Sequence, residues 1–165
     1  MGFSPRSRQN PPMSNEARRA AVAALAALAG SPDYRDRADA GHGLAGFAEM
    51  PEARPTLREL VLDAGNTFVT RVTAGALLRR RDAAGFETVA SAFADADDNH
   101  ADWIHTAVLD VFILSSRERD AAVRECTALT QDPDEQVRRG ADKLIASLTK
   151  FNTVLRPAED GPPAT

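Results

Sequence analysis

The sequence predicts an all-α protein, a solenoid of stacked antiparallel helix pairs with about eight helices. Three observations lead there. First, a helix-start pattern recurs four times: Ser31-Pro32-Asp33 with Arg37 and Ala40, Gly65-Asn66 with Arg71 and Ala74, Asp98-Asn99 with Ile104 and Ala107, and Asp132-Pro133-Asp134 with Arg138 and Ala141. The alanine column therefore steps by 34, 33 and 34 residues (40, 74, 107, 141). A fixed period of this size marks supersecondary units that bury their apolar faces only by stacking. Second, most of the ten prolines fall in the first dozen residues, at helix starts or in the last nine, so the interior is free of helix breakers. Third, no segment alternates with the period of two that a half-buried strand requires.

The elements follow in order. Residues 1–13, with Pro5, Pro11 and Pro12, are expected as a disordered lead-in. Ser14 caps a first helix that runs to about Ala29 and stops at Gly30. Ser31 is expected to cap the second helix, with Pro32 at its first position and an end near Met50-Pro51. A short third helix follows Pro55 and carries Leu57, Leu60 and Val61 inward. Asp63-Ala64-Gly65-Asn66 separates it from a fourth that ends near Arg81. Phe86, Val89, Ala90 and Phe93 lie at i, i+3, i+4 and i+7, one face of a fifth helix. After the acidic break 95–99, the sixth is expected to turn Trp103, Ala107, Val111 and Leu114 inward. Ser116 is expected to cap the seventh, with Ala122, Cys126 and Leu129 inside. The eighth buries Val137, Ala141, Leu144, Ile145 and Leu148. Residues 14–150 thus form one domain, its first helix an N-terminal cap, and 151–165 are expected as a flexible tail.

Composition narrows the function. Hydrophobic residues make up 43% of the 165, but aromatics only 5%, so the core must be Ala, Leu and Val. A net charge of −4 argues against a nucleic-acid partner, which normally meets a basic stripe. No stretch reaches the roughly 20 apolar residues that span a bilayer, so a cytoplasmic protein with no membrane partner is expected. Cys126 is the single cysteine and lies on an apolar stripe, the place of a small buried hydrophobe.

No constellation marks an enzyme, a cofactor or a metal. Asp97, Asp98, His100, Asp102 and His105 are the densest group of possible ligands, yet the histidines are five apart, not the i, i+4 spacing of helical zinc sites. Carboxylates there suit a helix N-terminus. Trp103 falls in the column of Val137 and is expected to be buried. Gly41-His42-Gly43 permits close approach of another helix. Arg79-Arg80-Arg81 is the only basic run, and it closes a helix where cations offset the dipole. A phosphate loop, a nucleophile elbow and a CxxC pair are all missing.

Asp132-Pro133-Asp134-Glu135-Gln136-Val137-Arg138-Arg139-Gly140-Ala141 resembles the HEAT repeat in its short bacterial form. The resemblance covers about residues 14–150, and in that family Asp and Arg of successive units form a hydrogen-bonded ladder. Position by position, it implies an arginine column of Arg37, Arg71 and Arg138 and an aspartate column of Asp98 and Asp132. Ile104, Ser31 and Gly65 interrupt both columns, so an incomplete ladder and an irregular or bent stack near the third unit are expected.

The resemblance implies a non-catalytic module of scaffold, regulatory or immunity type that binds another protein, itself a monomer or weak homo-oligomer. In such stacks the second helix of each pair lines the concave face. Outward positions there are Arg54, Arg58 and Glu59, then Glu87, Thr88 and Ser91, then Asp120, Arg124 and Glu125. The alternative is a HEAT-like DNA glycosylase or a bilin lyase-related enzyme, classes whose repeats are similar. The first needs a basic aromatic groove that this composition does not supply.

Overall fold

Eight helices carry 73% of the residues described in the computed structural model, which are 12–155, and no strand occurs among them. They are α1 Asn15–Ala29, α2 Tyr34–Ala45, α3 Arg54–Val61, α4 Thr67–Arg79, α5 Ala83–Asp95, α6 Asp98–Phe112, α7 Ser116–Leu129 and α8 Glu135–Thr149. Their order is the one the sequence predicts, and so are their approximate limits apart from the end of α2. The expected lead-in over 1–11 and the tail over 156–165 lie outside the described residues.

The repeat shows in the packing. Ala40, Ala74, Ala107 and Ala141 are all completely buried. Their small side chains let neighbouring helices approach closely, so α2 packs on α4 and α4 on α6. Gly41 tightens the first of these contacts: a Cβ there would stand 2.0 Å from Thr73 Oγ1 of α4. A Cβ on Gly43 would meet Leu25 of α1 at 2.9 Å. Both glycines do what their spacing in the sequence suggests.

Several starts and faces differ from expectation. Asp33 and Asp134, not Ser31 and Asp132, are the N-caps of α2 and α8, each accepting from the backbone N–H two residues on. Ser31 and Asp132 instead accept from the N–H groups of Asp33 and Asp134, at 3.1 and 2.8 Å, so each Pro sits inside a side-chain turn that precedes the cap. Ser115, not Ser116, caps α7. Gly46 ends α2 well before Met50-Pro51, and residues 46–53 continue as hydrogen-bonded turns.

The buried face of α6 is Ile104, Ala107, Val108 and Phe112. Trp103 and Val111 are half-buried and Leu114 is 61% exposed, so the expected stripe was rotated by about one position. The cause lies at the helix start. Asp97 caps α6 ten residues before Ala107, whereas seven separate cap and alanine in α2 and α8 (33 to 40, 134 to 141). α6 therefore carries almost one extra N-terminal turn.

The stack is irregular at its far end. The broadest neighbour of α5 is α8, not α7. Gly140 makes that possible, because a Cβ there would fall 1.7 Å from the Ala90 carbonyl oxygen. Lys143 Nζ donates to the Phe93 and Ala94 carbonyls at 2.9 and 3.2 Å, which satisfies the open C-terminal end of α5. His105 of α6 reaches Ser147 of α8, Nδ1 to Oγ 2.6 Å. Beyond α8 the chain returns to the α6–α7 corner. Val154 and Leu155 donate N–H to the Ile113 and Leu114 carbonyls at 2.9 Å each, and Ser116 N–H donates to Leu155 O at 3.1 Å. The first residues of the expected tail are thus hydrogen-bonded to the fold.

Candidate functional site

A groove of about 390 Å³ runs across α3, α5 and the first turn of α8. It is built by helices whose opposite faces are core. Leu57, Leu60 and Val61 turn inward from α3, and Phe86, Val89 and Phe93 from α5, which leaves Arg54, Arg58 and Glu59 and then Glu87 and Ser91 pointing out. Asp134, Gln136 and Val137 close the far side.

Charges of both signs are already paired across it. Arg54 Nη1 donates to Glu87 Oε1 at 2.9 Å, and its Nε donates to the Ala48 carbonyl at 3.3 Å, so α3 is tied to α5 and to the turn before it. Asp95, at the end of α5, accepts from Arg58 of α3 and Gln136 of α8 and pairs by charge with Arg139 of α8 at 3.7 Å. The Arg58 Nε–H is buried and meets no acceptor among the described residues. Glu59 is exposed at the rim.

Six of the nine outward residues predicted from sequence, Arg54, Arg58, Glu59, Glu87, Thr88 and Ser91, line this one groove. Thr88 does so differently from expectation. It is buried, and its hydroxyl donates back to the Ala84 carbonyl at 2.8 Å, so it offers the groove little polarity. Asp120, Arg124 and Glu125 of α7 lie elsewhere, because α8 takes the place beside α5 that they were expected to fill. Asp120 pairs with its neighbour Arg119 at 2.8 Å, and Arg124 is exposed. Glu125 lines a separate cleft of about 420 Å³ with Arg81, Arg117 and Glu118, over the stacked rings of Phe86 and Phe112. Asp134, Gln136 and Asp95 were not foreseen. Gly140, a glycine in mid-helix, was the signal that α8 approaches another backbone.

The Arg and Asp columns form only part of a ladder. Arg37 holds the α3–α4 loop through Asp63, a residue outside the predicted column, with Nε–Oδ2 at 2.7 Å and Nη2–Oδ1 at 3.1 Å. Burial raises the Asp63 pKa, but Arg37 and the Asn66 and Gly65 amides more than offset this and hold it below the usual carboxylate range. Arg71 reaches Asp110 of α6 at 2.6 and 3.0 Å. Arg138 turns back on its own loop, donating to the Asp132 and Pro133 carbonyls at 2.7 and 2.9 Å.

The acidic and histidine group after α5 does not converge as a metal centre, and no three His, Cys, Asp or Glu side chains do so among the described residues. His100 bonds to Asp97 and to the Asp63 carbonyl, while His105 points to α8. Burial pushes the Cys126 thiol up to about 12, so the sulfur behaves as a hydrophobe and not as a nucleophile. Among the described residues no helix is long and apolar enough to cross a membrane.

No family model and no curated protein matches the chain. Among solved structures, the crystal structure of an engineered protein from the Northeast Structural Genomics Consortium is similar at 20% identity and a TM-score of 0.32. The match covers 80% of this chain and 64% of that one, and neither fold nor function is carried over from it.

Proposed function

We propose that this chain is a non-catalytic protein–protein interaction module, a short HEAT-like stack that holds a segment of another protein in the groove across α3, α5 and α8. The observation that carries the reading is the convergence of five outward residues, Arg54, Arg58, Glu59, Glu87 and Ser91, from two helices into one open groove with both signs of charge. Mixed charge at a rim suits recognition by complementary pairing, which favours specificity over bulk affinity. HEAT membership is part of the proposal and rests on the text from Asp132 to Ala141 together with the four buried alanines. A cytoplasmic, bacterial setting and a monomer or weak homo-oligomer complete it.

The test compares the tagged full chain with Glu59→Lys and Arg124→Glu in co-purification from its own cells. Both side chains are exposed and form no ion pair among the described residues, so both variants are expected to fold. Glu59→Lys is expected to reduce the recovered partner about tenfold or more while Arg124→Glu retains it. The same partner retained by Glu59→Lys and lost by Arg124→Glu would move the binding surface to α7.

A further inference from the structure

The extra first turn of α6 has a chemical result that the binding reading does not use. It places His100 against two groups that can only accept hydrogen bonds. Nδ1 lies 2.7 Å from Asp97 Oδ1, and Nε2 lies 3.1 Å from the Asp63 carbonyl oxygen. The ring is mostly shielded, its side chain 14% exposed, whereas the Asp97 carboxylate beside it is largely open to solvent. A neutral imidazole has one N–H and one lone pair. Whichever tautomer it adopted here, a lone pair would face an acceptor. Only the imidazolium satisfies both contacts.

The two acceptors belong to different segments. Asp63 lies in the loop that follows α3, and Asp97 in the connector that follows α5. Those helices are the two walls of the groove. The same segments are held on their other sides: Arg37 binds the Asp63 carboxylate, and Asp95, two residues before Asp97, receives Arg58, Gln136 and Arg139. His100 thus ties the N-cap of its own helix, α6, at the end of the connector from α5, to the loop that follows α3.

We propose that His100 is a proton-operated clasp: as the imidazolium it donates from both ring nitrogens and fixes the loop after α3 to the connector after α5, and on losing its proton it releases one of them. The charged groups facing the ring are Asp97 on its own helix and Asp63 on the α3–α4 loop, the latter already paired with Arg37 of α2. From α4, α5, α7 and α8, packed around α6, no other charged side chain bonds to the ring among the described residues. Burial of the ring disfavours its charge, but the Asp63 carbonyl and the Asp97 carboxylate outweigh this, and the His100 pKa stands raised. A histidine whose folded pKa exceeds its unfolded value of about 6.5 stabilises fully below that value. The contribution is lost as pH rises through the folded pKa.

The clasp does not depend on any partner, so its test is made on the isolated full chain. NMR titration of the three histidines, assigned by His→Gln variants, is expected to put the His100 midpoint above the ordinary histidine value of about 6.5. The backbone amide shifts of Gly65 and Ala96, on the two clasped segments, should move with the His100 midpoint. The difference in thermal midpoint between wild type and His100→Gln should shrink as pH is raised through it. A His100 midpoint at or below about 6.5, or a Gly65 amide that ignores it, overturns the proposal. Both readings come from the wild-type chain and stand even if His100→Gln folds poorly.

Discussion

Arg37 and Asp63 form a two-pronged pair between the first and second units, at 2.7 and 3.1 Å, with their side chains only 15% and 9% exposed. It is the most buried ion pair among the described residues. The Asp63 carboxylate also accepts from the Gly65 and Asn66 amides at 3.0 and 2.7 Å, so one side chain orders the loop and anchors it. Asp63→Asn is expected to cost about 2–4 kcal/mol, because it leaves a shielded guanidinium without its counter-charge. Since the folded Asp63 pKa is lowered, this contribution is present above the unfolded carboxylate value of about 3.9 and is lost as pH falls toward the folded one. Urea unfolding of both proteins between pH 7 and pH 3 checks it. A difference that persists undiminished at pH 3 would contradict the assignment.

Gly140 and Leu144 should be the most sensitive positions of α8. Leu144 is fully buried, and Leu144→Ala should cost ~2–5 kcal/mol. Gly140→Ala should destabilise although alanine is the better helix former, because its Cβ would meet the Ala90 carbonyl, a backbone atom with no room to yield. Exposed Arg124→Ala should change stability by less than about 0.5 kcal/mol. Denaturant melts of the three variants decide this. A neutral or stabilising Gly140→Ala would mean that α8 does not lie on α5.

Arg81 is the one non-glycine residue at positive φ among those described, at 57°. It stands just past the C-cap of α4, the place where glycine normally ends a helix. Its guanidinium pairs with Glu118 of α7 at 2.6 and 3.0 Å, with side chains 51% and 37% exposed. Such an exposed pair is worth about 0–1 kcal/mol, while the left-handed backbone costs about 1–2 kcal/mol for a residue with a Cβ. Arg81→Gly should therefore leave stability unchanged or raise it by up to about 1 kcal/mol. A drop in the thermal midpoint would show that the tie to α7 outweighs the backbone strain.

Much of this architecture could be read from residue spacing. The alanine column, the cap at Ser14, and the inward faces of α3, α5 and α8 could be read from residue type and periodicity, which report on a helix and its nearest face. What spacing could not report is which helices face each other across the third unit. The α5–α8 contact depends on one missing Cβ at Gly140, a local feature whose partner, Ala90, is fifty residues away. For the same reason the groove was legible on α3 and α5 but not on its third wall. Asp63 was missed as the anchor of the ladder because it precedes the helix start, where a repeat alignment does not look.

Weak binding to DNA is a further expectation. In the only basic run, Arg80 is engaged by Asp82 and Glu49 and Arg81 by Glu118, and among the described residues only Arg79 of the three forms no ion pair. Even if all three contacted phosphates, the salt slope would be about 3, against roughly 6–10 contacts in dedicated binders. Fluorescence anisotropy with a labelled duplex at moderate salt should give a flat titration. Micromolar binding with a steep salt slope would favour the DNA glycosylase alternative.

The binding surface itself is tested most directly by photo-crosslinking. A photoreactive side chain is introduced at Ser91 inside the groove or at Arg124 on α7, and adducts formed in the native cells are identified by mass spectrometry. The Ser91 position should capture one discrete protein, through a contiguous peptide of it, and Arg124 should not. Capture of that protein from Arg124 with none from Ser91 would contradict the assignment of the groove across α3, α5 and α8 as the interaction surface.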